Sequence, residues 1–450
     1  MSTNKVIERI YIKGDLEVIS PISIGSGNDK NTDKDVMVDS FGRPYLPGTS
    51  LAGVFRSYLA DYTDFSNESM EIKYLFGHHI DIKNKFDSTI SNIFISDAYP
   101  LNDVDILVRD GIKIDERFKS SVSGSKFNYE VVSPNTVFQL RMEVIIRENF
   151  EYFHDGELKS HKIDPTEIKK LLGKLLYALE NEKISIGAKT NRGYGLVKLI
   201  NTQIEVIGPN DYERFIEFDF SNLINNSSYH DWYKGEDTLS YIDITADLAI
   251  ESSLMIRSYS FDPEQLDQIM IRVGDKPVIP GTSWGGALRN HALKLVRKLG
   301  LSERIVDHLF GNIDTNNNEE TIYSRVRTYE TYFESINKED YHIMRRTKIN
   351  RVSGSAANRA LFDEEYLARG TAKFRLGLER SKEKYLGLLL LLIDEINNGF
   401  LPIGGETSIG RGLVKLSNIM IDGQSLTDKD KEKYLDAFIS TVKGVNYELN

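Results

Sequence analysis

The sequence predicts an α+β protein made of two copies of one unit, each with the element order β-α-β-β-α-β. The main observation is a repeated motif, because "LPGTSLAGVFRSYLADY" at 46–62 recurs as "IPGTSWGGALRNHALKL" at 279–295. Other segments repeat around both motifs in the same order. Length agrees, since 450 residues exceed one ordinary compact core and suit two domains of common size.

Each copy begins with a strand. "GDLEVISPISIG" at 14–25 and "ADLAIESSLMIR" at 246–257 carry apolar residues at alternate positions, in step with each other. Leu16 matches Leu248 in this alignment. Alternation with a period of two is typical of a strand that buries one face.

A helix follows the PGTS motif in each copy. Proline prevents an earlier start, glycine permits a tight turn, and the threonine and serine hydroxyls can cap the exposed amides. Apolar residues then recur at helical spacing and form one stripe per copy: Leu51, Val54, Phe55, Tyr58 and Leu59 in the first, and Trp284, Ala287, Leu288, His291 and Ala292 in the second.

The remaining elements also correspond. "YLFG" at 74–77 matches "HLFG" at 308–311, and the middle segment 112–144 resembles 347–379. Both copies then close with a helix, a glycine turn and a strand that begins "LVKL". This order is that of a ferredoxin-like domain, in which two helices cover one face of an antiparallel sheet.

Three segments follow from these boundaries. We place the first repeat, as a domain, at 1–205 and the second repeat at 239–450. The segment 206–238 between them is rich in Asn, Asp, Ser and aromatic residues without a clear period. It is therefore predicted to be a linker or an appendage of the first domain.

Composition excludes several classes of protein. A hydrophobic fraction of 40% and a charged fraction of 27% are those of a globular chain. Because cysteine is absent, disulfides, thiolate zinc sites and cysteine nucleophiles are excluded, and a cytoplasmic location is favoured. The N-terminus lacks the apolar core of a signal peptide, and acids interrupt "YLGLLLLLIDEI" at 385–396, so we expect a buried helix there and no membrane partner.

The net charge of −11 argues mildly against RNA binding, because phosphate neutralisation drives the affinity of basic proteins for nucleic acid. Electrostatic fields are local, however, so an acidic chain can still bind RNA along one basic groove.

The PGTS helices are candidate anion sites. A helix start with hydroxyls, a bare glycine and an arginine two turns on can cradle a phosphate. The alternative is a well-capped helix whose arginine pairs with a local carboxylate. The residues in question are Thr49, Ser50, Arg56, Thr282, Ser283 and Arg289.

Two further basic groups are candidate RNA contacts. The glycine turns at 187–195 and 404–412 can present backbone N–H groups to a phosphate, although such turns also simply reverse the chain. The second middle segment carries clustered cations that can lie along a polyphosphate backbone, although charge runs are usually solvated surface. The candidates are Lys189, Arg192 and Arg411 in the turns, and Arg345, Arg346, Lys348 and Arg351 in the middle segment.

The loops before the PGTS motifs are acidic. Aligning "DKDVMV" with "DQIMIR" places Asp33 over Asp267, and Asp35 lies two residues after Asp33. Flexible acidic loops are often only solvated. A carboxylate there can instead hold Mg²⁺ through oxygen ligands or assist proton transfer at an RNA 2′-hydroxyl.

In these motifs the chain resembles the RAMP superfamily, and specifically the backbone subunits of type III CRISPR effector complexes. The resemblance is carried twice, by "PGTSLAGVFR" and "PGTSWGGALR", the "LFG" after each helix, "KIDERF" and "KINRVSG", and the glycine turn before "LVKL". It implies a ferredoxin-like palm with an inserted thumb-like hairpin in each repeat. It also implies guide RNA, target RNA and other effector subunits as partners.

The resemblance further implies an endoribonuclease that cuts target RNA with a divalent metal, Mg²⁺ or Mn²⁺. Its loop aspartate corresponds to Asp33 in the first repeat and Asp267 in the second, as catalytic and metal-binding residues, with Asp35 a close rival to Asp33. Two other functions stay open at this point. One is a structural RAMP subunit without catalysis, and the other is a guide-processing RAMP ribonuclease, against which the lack of matched histidines argues.

Overall fold

The computed structural model describes residues 4–25, 32–61, 69–79, 88–112, 114–115, 122–154, 157–235, 241–258, 266, 268–312 and 322–448. The chain divides into two compact units. The first unit comprises Met1–Val108, Asn128–Thr190 and Gly195–Thr238, and the second comprises Arg109–Phe127, Asn191–Tyr194 and Leu239–Asn450.

The first half of the chain opens with a strand and two helices, continues with a run of strands, and ends with a helix on either side of one further strand. Their bounds are β1 (Val6–Val18), α1 (Gly48–Asp61), α2 (Met70–Phe76), β2 (His78–His79), β3 (Ser88–Thr89), β4 (Ile93–Ile95), β5 (Ile106–Gly111), β6 (Phe127–Val132), β7 (Val137–Arg147), β8 (Asn149–His154), β9 (Glu157–Lys162), α3 (Pro165–Glu180), β10 (Val197–Ile207) and α4 (Tyr212–Glu217).

The second half continues in the same manner. Its elements are β11 (Tyr241–Ile250), β12 (Arg257–Ser258), β13 (Ile269–Met270), β14 (Arg272–Val273), β15 (Lys276–Ile279), α5 (Gly281–Lys298), α6 (Arg304–Phe310), β16 (Val326–Thr328), β17 (Thr331–Tyr332), β18 (Tyr341–Ile349), β19 (Ala356–Leu367), β20 (Thr371–Glu379), α7 (Leu386–Asn397), β21 (Val414–Ile421), β22 (Gln424–Ser425) and α8 (Asp428–Glu448). The predicted α+β class is confirmed.

The main sheet of the first unit has the order β10-β1-β7-β4, with antiparallel pairing throughout. The alternation read from the sequence is present in β1, whose Ile10, Ile12 and Leu16 are fully buried. They share one core with the apolar faces of α1 and α3. The sheet thus buries one face beneath two helices because its strands alternate and its helices carry an apolar stripe.

The main sheet of the second unit has the order β16-β20-β11-β21-β22, also antiparallel. Trp284 of α5 is fully buried, packs edge-on against Phe374 with ring centroids 4.9 Å apart, and donates a 3.0 Å hydrogen bond to Thr331 Oγ1. The leucine run of α7 is buried as expected. No helix in the described ranges is long and apolar enough to cross a membrane.

The central strands of the two sheets share one irregularity. A register shift falls between Lys13 and Asp15 in β1, and another between Thr245 and Asp247 in β11. At each shift a left-handed asparagine donates 2.8 Å to the aspartate, Asn201 to Asp15 and Asn418 to Asp247. Matched defects of this kind are structural features kept within families of related sheets.

The middle segment of the second repeat forms a long hairpin. β18 pairs antiparallel with β19, and the connection at 350–355 contains Gly354 with a positive φ of 68°. Val352 at this tip is 99% exposed. The hairpin therefore forms a two-stranded sheet of its own with an exposed tip.

The segment after β10 lies on the outer face of the first sheet. The Phe218 ring stacks on Tyr11 of β1 at 3.6 Å, and the guanidinium of Arg141 lies 5.5 Å from the Phe220 ring. Glu205 accepts hydrogen bonds from Arg214 of α4 and from the amide of Ile224. The first sheet is thus covered on the side that its helices leave open.

Candidate functional site

The acidic loop of the first unit is fixed against β6. The Asp33 amide donates to Asn128 Oδ1 at 3.0 Å, and the Asn128 amide donates to Asp33 Oδ2 at 2.8 Å. Asp33 itself is exposed. This reciprocal pair holds an aspartate carboxylate at the surface while constraining its backbone.

The neighbouring aspartate has a different environment. Asp35 is 8% exposed, and its Oδ1 accepts hydrogen bonds from the Thr32 amide at 2.8 Å and the Thr32 hydroxyl at 2.9 Å. On the same loop the Val36 amide donates to Glu130 Oε2 at 3.0 Å, and the Glu130 amide donates to the Lys34 carbonyl at 2.9 Å. Asp35 therefore shapes the loop from inside, whereas Asp33 faces outward.

The glycine turn brings a cation to the same strand. Lys189 Nζ lies 3.0 Å from the ring centroid of Tyr129, the residue that follows Asn128. Lys189 is half-buried and has a left-handed backbone with φ of 59°. Left-handed non-glycine residues are unfavourable and concentrate at functional sites.

The first PGTS helix is capped by protein. The amide of Gly48 donates to Asp97 Oδ1 at 2.8 Å, so a carboxylate already occupies the start of the helix. Arg56 donates to the Gly77 carbonyl at 3.3 Å, which ties α1 to the end of α2. Thr49 is exposed and Ser50 is half-buried. This geometry matches the alternative of a well-capped helix rather than an open anion cradle.

The second PGTS helix has equivalent ties. Arg289 donates to Asp307 Oδ1 at 2.6 Å and to the Gly311 carbonyl at 3.4 Å, which repeats the link between Arg56 and Gly77. Thr282 and Ser283 are half-buried. The carbonyl of Gly281 accepts a 2.7 Å hydrogen bond from the hydroxyl of Thr328.

Arg192 also belongs to the second unit and closes the start of this helix. A Cβ on Gly281 would lie 2.2 Å from the Arg192 carbonyl oxygen, and one on Gly285 would lie 2.8 Å from its Nη1. Burial lowers the pKa of Arg192, and the charge of Arg289 lowers it further. The backbone and guanidinium of Arg192 therefore pack closely against the glycines at the start of this helix.

The second glycine turn joins an ionic cluster that we call the Glu364–Glu406 cluster. Glu406 Oε2 lies 3.1 Å from Arg411 Nε, and Glu364 Oε2 lies 2.8 Å from Arg346 Nη2. Arg346 and Arg257 also bind Glu406. Arg411 is 4% exposed, with its guanidinium 4.0 Å from the Tyr366 ring.

The pKa values of the two carboxyls of this cluster are shifted in opposite directions. Burial raises the pKa of Glu364, and the nearby charge of Glu406 raises it further. Burial also opposes ionisation of Glu406, but Arg346 and Arg411 outweigh it and lower the Glu406 pKa. Arg346 and Arg411, both RNA candidates in the sequence, therefore have carboxylate partners within the protein.

The basic residues farther along the second hairpin face solvent. The side chain of Arg345 is 74% exposed and lies 3.4 Å from Asp363, while Lys348 and Arg351 are exposed at the end of β18 and in the turn. These three cations form the outward basic stripe of the hairpin. RNA contact by these three exposed residues stays a prediction.

Asp267 lies outside the described residues. Its neighbour Gln268 donates from its amide to the Asp363 carbonyl at 3.3 Å, and accepts from the Glu365 amide at 2.9 Å. The second bond repeats the one between Glu130 and Lys34 in the first unit. Each unit therefore bonds the residue after its aligned aspartate to a corresponding strand, Lys34 to β6 and Gln268 to β19.

Sequence reasoning did not find Asn128, Tyr129, Glu364 and Glu406. The repeats contained a signal for these residues. Aligning the two glycine turns places Lys189 over Glu406, and aligning the two middle segments places "KFNYEVV" over "LFDEEYL". The alignment could not show that the Asp33 loop bonds to Asn128, or that Lys189 of the glycine turn lies against Tyr129.

The residues present fit a divalent metal shared with substrate. In the described part of the chain, no three His, Asp or Glu side chains converge as a metal site. Mg²⁺ commonly uses one or two carboxylates and completes its shell with substrate phosphates and water. The exposed Asp33 carboxylate is a ligand of the type that such a shell uses.

Two antiparallel sheets under paired helices, each with a PGTS helix and a glycine turn, define the class of protein. A model of the RAMP superfamily matches residues 15–198 and 247–415. The chain therefore belongs to the RAMP superfamily. The "CRISPR system Cmr endoribonuclease Cmr4" of Pyrococcus furiosus is 32% identical over 77 residues, which are 17% of this chain and 26% of that protein. The match thus spans about a quarter of that relative's length.

Proposed function

We propose that this RAMP protein is an RNA-binding backbone subunit of a type III CRISPR effector complex, and that it cleaves target RNA paired to the guide. The observation that carries the proposal is the Asp33 carboxylate, exposed and anchored on both sides by Asn128. Membership of the superfamily and the similarity to an endoribonuclease of a CRISPR system support it.

The proposal extends to the organisation of the chain. Strand orders β10-β1-β7-β4 and β16-β20-β11-β21 support two ferredoxin-like RAMP domains in tandem, at 1–205 and 239–450, with 206–238 as a linker or an appendage of the first domain. Guide RNA, target RNA and other effector subunits are the partners, and the cytoplasm is the location. Sequence would be read by base pairing, so the protein would contact mainly the RNA backbone.

Cleavage would follow from geometry at a distorted nucleotide. The ribose 2′-oxygen attacks the adjacent phosphorus, the bond to the 5′-oxygen breaks, and a cyclic phosphate and a 5′-hydroxyl result. In-line attack is prevented in stacked A-form RNA and allowed where a nucleotide is displaced. Asp33 would accept the 2′-hydroxyl proton or hold the metal, and solvent would protonate the leaving oxygen.

The metal and the basic residues have separate parts in this proposal. A bound Mg²⁺ or Mn²⁺ would supply positive charge at the scissile phosphate. Asn128 would keep Asp33 in place, and the stripe of Arg345, Lys348 and Arg351 would bind phosphates along the second hairpin. Arg56, Arg289, Arg346 and Arg411 have partners inside the protein, and Arg192 is half-buried, so RNA contact by these residues stays a prediction.

The test uses a reconstituted effector complex and end-labelled RNA complementary to the guide. In Mg²⁺ we expect Asp33→Asn to slow cleavage at least a hundredfold while leaving RNA affinity unchanged. Asp39→Asn is the matched control, because Asp39 lies on the same loop and its carboxylate is bound by Arg43. If Asp33→Asn cleaves at the parent rate, the catalytic role of Asp33 is wrong and the alternative of a structural RAMP subunit is favoured. If the protein cuts a repeat hairpin in EDTA, guide processing is indicated instead.

A further inference from the structure

We infer that RNA cleavage is confined to the first repeat, because a matched pair of side chains beside the aspartate loop has diverged between the repeats. In the first repeat the pair is Tyr129 with Lys189. In the second it is Glu364 with Glu406. The inference rests on the proposed function, and it adds Lys189 as the residue that binds the phosphate beside Asp33.

Backbone hydrogen bonds establish that the strand positions correspond. Glu130 donates to the Lys34 carbonyl in the first unit, and Glu365 donates to the Gln268 carbonyl in the second, both at 2.9 Å. The residue before each donor is therefore the same position of the fold. That residue is Tyr129 in one unit and Glu364 in the other.

The turn positions correspond in the same way. The residue before Lys189 donates from its amide to the Ser23 carbonyl at 2.7 Å, and the residue before Glu406 donates to the Met255 carbonyl at 2.7 Å. Lys189 has φ of 59° and Glu406 has φ of 57°. Both repeats therefore hold a charged residue in a left-handed conformation at one position, but the charge has opposite sign.

In the first unit this position carries an ammonium group over an aromatic face. Lys189 Nζ lies 3.0 Å from the Tyr129 ring centroid, and the Lys189 side chain is half-buried, so solvent still reaches it. Tyr129 follows Asn128, which anchors Asp33. A cation held against the strand that bonds the Asp33 loop favours a phosphate near the Asp33 carboxylate.

In the second unit the position is closed to both a phosphate and a metal. Glu406 is bound by Arg346, Arg257 and Arg411. A phosphate that approached these guanidiniums would have to displace a carboxylate already paired with them. A divalent cation that approached the carboxylates would meet three guanidinium charges. The Glu406 carboxylate thus takes up guanidinium charge that a phosphate would otherwise meet.

The first experiment maps cuts at single-nucleotide resolution on a target RNA bound to the reconstituted complex. We expect one cut for each copy of this chain and the loss of all its cuts in Asp33→Asn. A second set of cuts that persists in Asp33→Asn, and disappears when Asp267→Asn is added, would overturn the inference while leaving the proposed function intact.

The second experiment replaces the lysine. Lys189→Gln should lower cleavage about tenfold or more, and Lys189→Arg should stay within about threefold of the parent, because it keeps the cation. Lys198→Gln is the matched control, since Lys198 lies in the first unit and is paired with Glu182 at 3.4 Å. Equal activity of Lys189→Gln and Lys198→Gln would refute a phosphate contact by Lys189.

A binding measurement separates the two proposals. Each phosphate contact with single-stranded RNA contributes about 0.7 to the slope of log affinity against log salt concentration. Lys189→Gln should reduce this slope by about that amount, and Glu406→Gln should not reduce it. If the parent cuts no RNA in Mg²⁺ or Mn²⁺, the proposed function fails, yet the slope still decides whether Lys189 binds phosphate.

Discussion

The bond between Asn128 and the Asp33 amide gives the sharpest test of the loop. Asn128→Ala removes this 3.0 Å bond but keeps the 2.8 Å bond from the residue 128 amide to Asp33 Oδ2. A neutral hydrogen bond contributes about 1 kcal/mol. The equilibrium constant for the ordered loop, and with it the rate of target cleavage, should therefore fall about fivefold.

Asn128→Asp keeps an acceptor at the same place and adds a like charge. For carboxylates about 5 Å apart, an effective dielectric constant between roughly 20 and 80 gives a repulsion of about 1 to 3 kcal/mol. Cleavage should therefore fall between about fivefold and a hundredfold. The same residue type stands at the corresponding position of the second unit, Asp363.

The assay is single-turnover cleavage in the preassembled complex, normalised to the parent at each salt concentration. Since salt screens exposed charges, activity of Asn128→Asp relative to the parent should recover between about 0.05 and 0.5 M salt. Asn128→Ala should show no such recovery. If Asn128→Asp cuts as fast as the parent, or both variants respond alike to salt, the anchoring of Asp33 by Asn128 is refuted.

Three further predictions concern stability. Tyr74→Phe should lower the free energy of unfolding, measured in urea, by about 2 to 4 kcal/mol. The reason is that the buried Tyr74 hydroxyl donates to one backbone carbonyl and accepts from one backbone N–H, both at 2.7 Å. Tyr152→Phe is the control. Burial raises the pKa of Tyr74 to about 12, so the parent should lose stability as pH rises from about 10 to 12, and Tyr74→Phe should lack this loss. Phe218→Ala should speed proteolysis within 206–235, because it removes the ring that stacks on Tyr11. Trp284→Phe should lower the free energy of unfolding by about 1 to 3 kcal/mol, because it loses the hydrogen bond to Thr331.

The parts of the fold that depend on periodicity could be predicted from the sequence. Alternation in β1 and β11, the apolar stripes after PGTS and the leucine run of α7 each identify a buried face, because burial is written locally as a spacing of apolar residues. The structure buries Leu16, Leu51, Trp284 and Leu248 as those patterns require. The covering of the first sheet by Phe218 and Phe220 has no such local pattern, and it was open in the sequence.

The candidate site was harder to predict because its distinctions come from distant residues. Sequence spacing left Asp33 and Asp35 as rivals. What separates them is a strand 95 residues away that bonds to Asp33 and supplies Glu130 to the interior of the loop. Burial of one carboxylate and exposure of its neighbour are set by this tertiary pairing, which no pattern within the loop encodes.

The fate of the arginines explains how an acidic chain can carry an RNA site. Arg346 meets Glu406 across 60 residues, and Arg56 meets the Gly77 carbonyl across 21. The pairing of strands and turns decides which basic side chain lies next to an acceptor. A run of basic residues in the sequence therefore does not show that the folded surface is basic there. Exposed cations such as Lys348, and Arg345 beside Asp363, shape the local field, and that field rather than the net charge of −11 governs where a phosphate chain can lie.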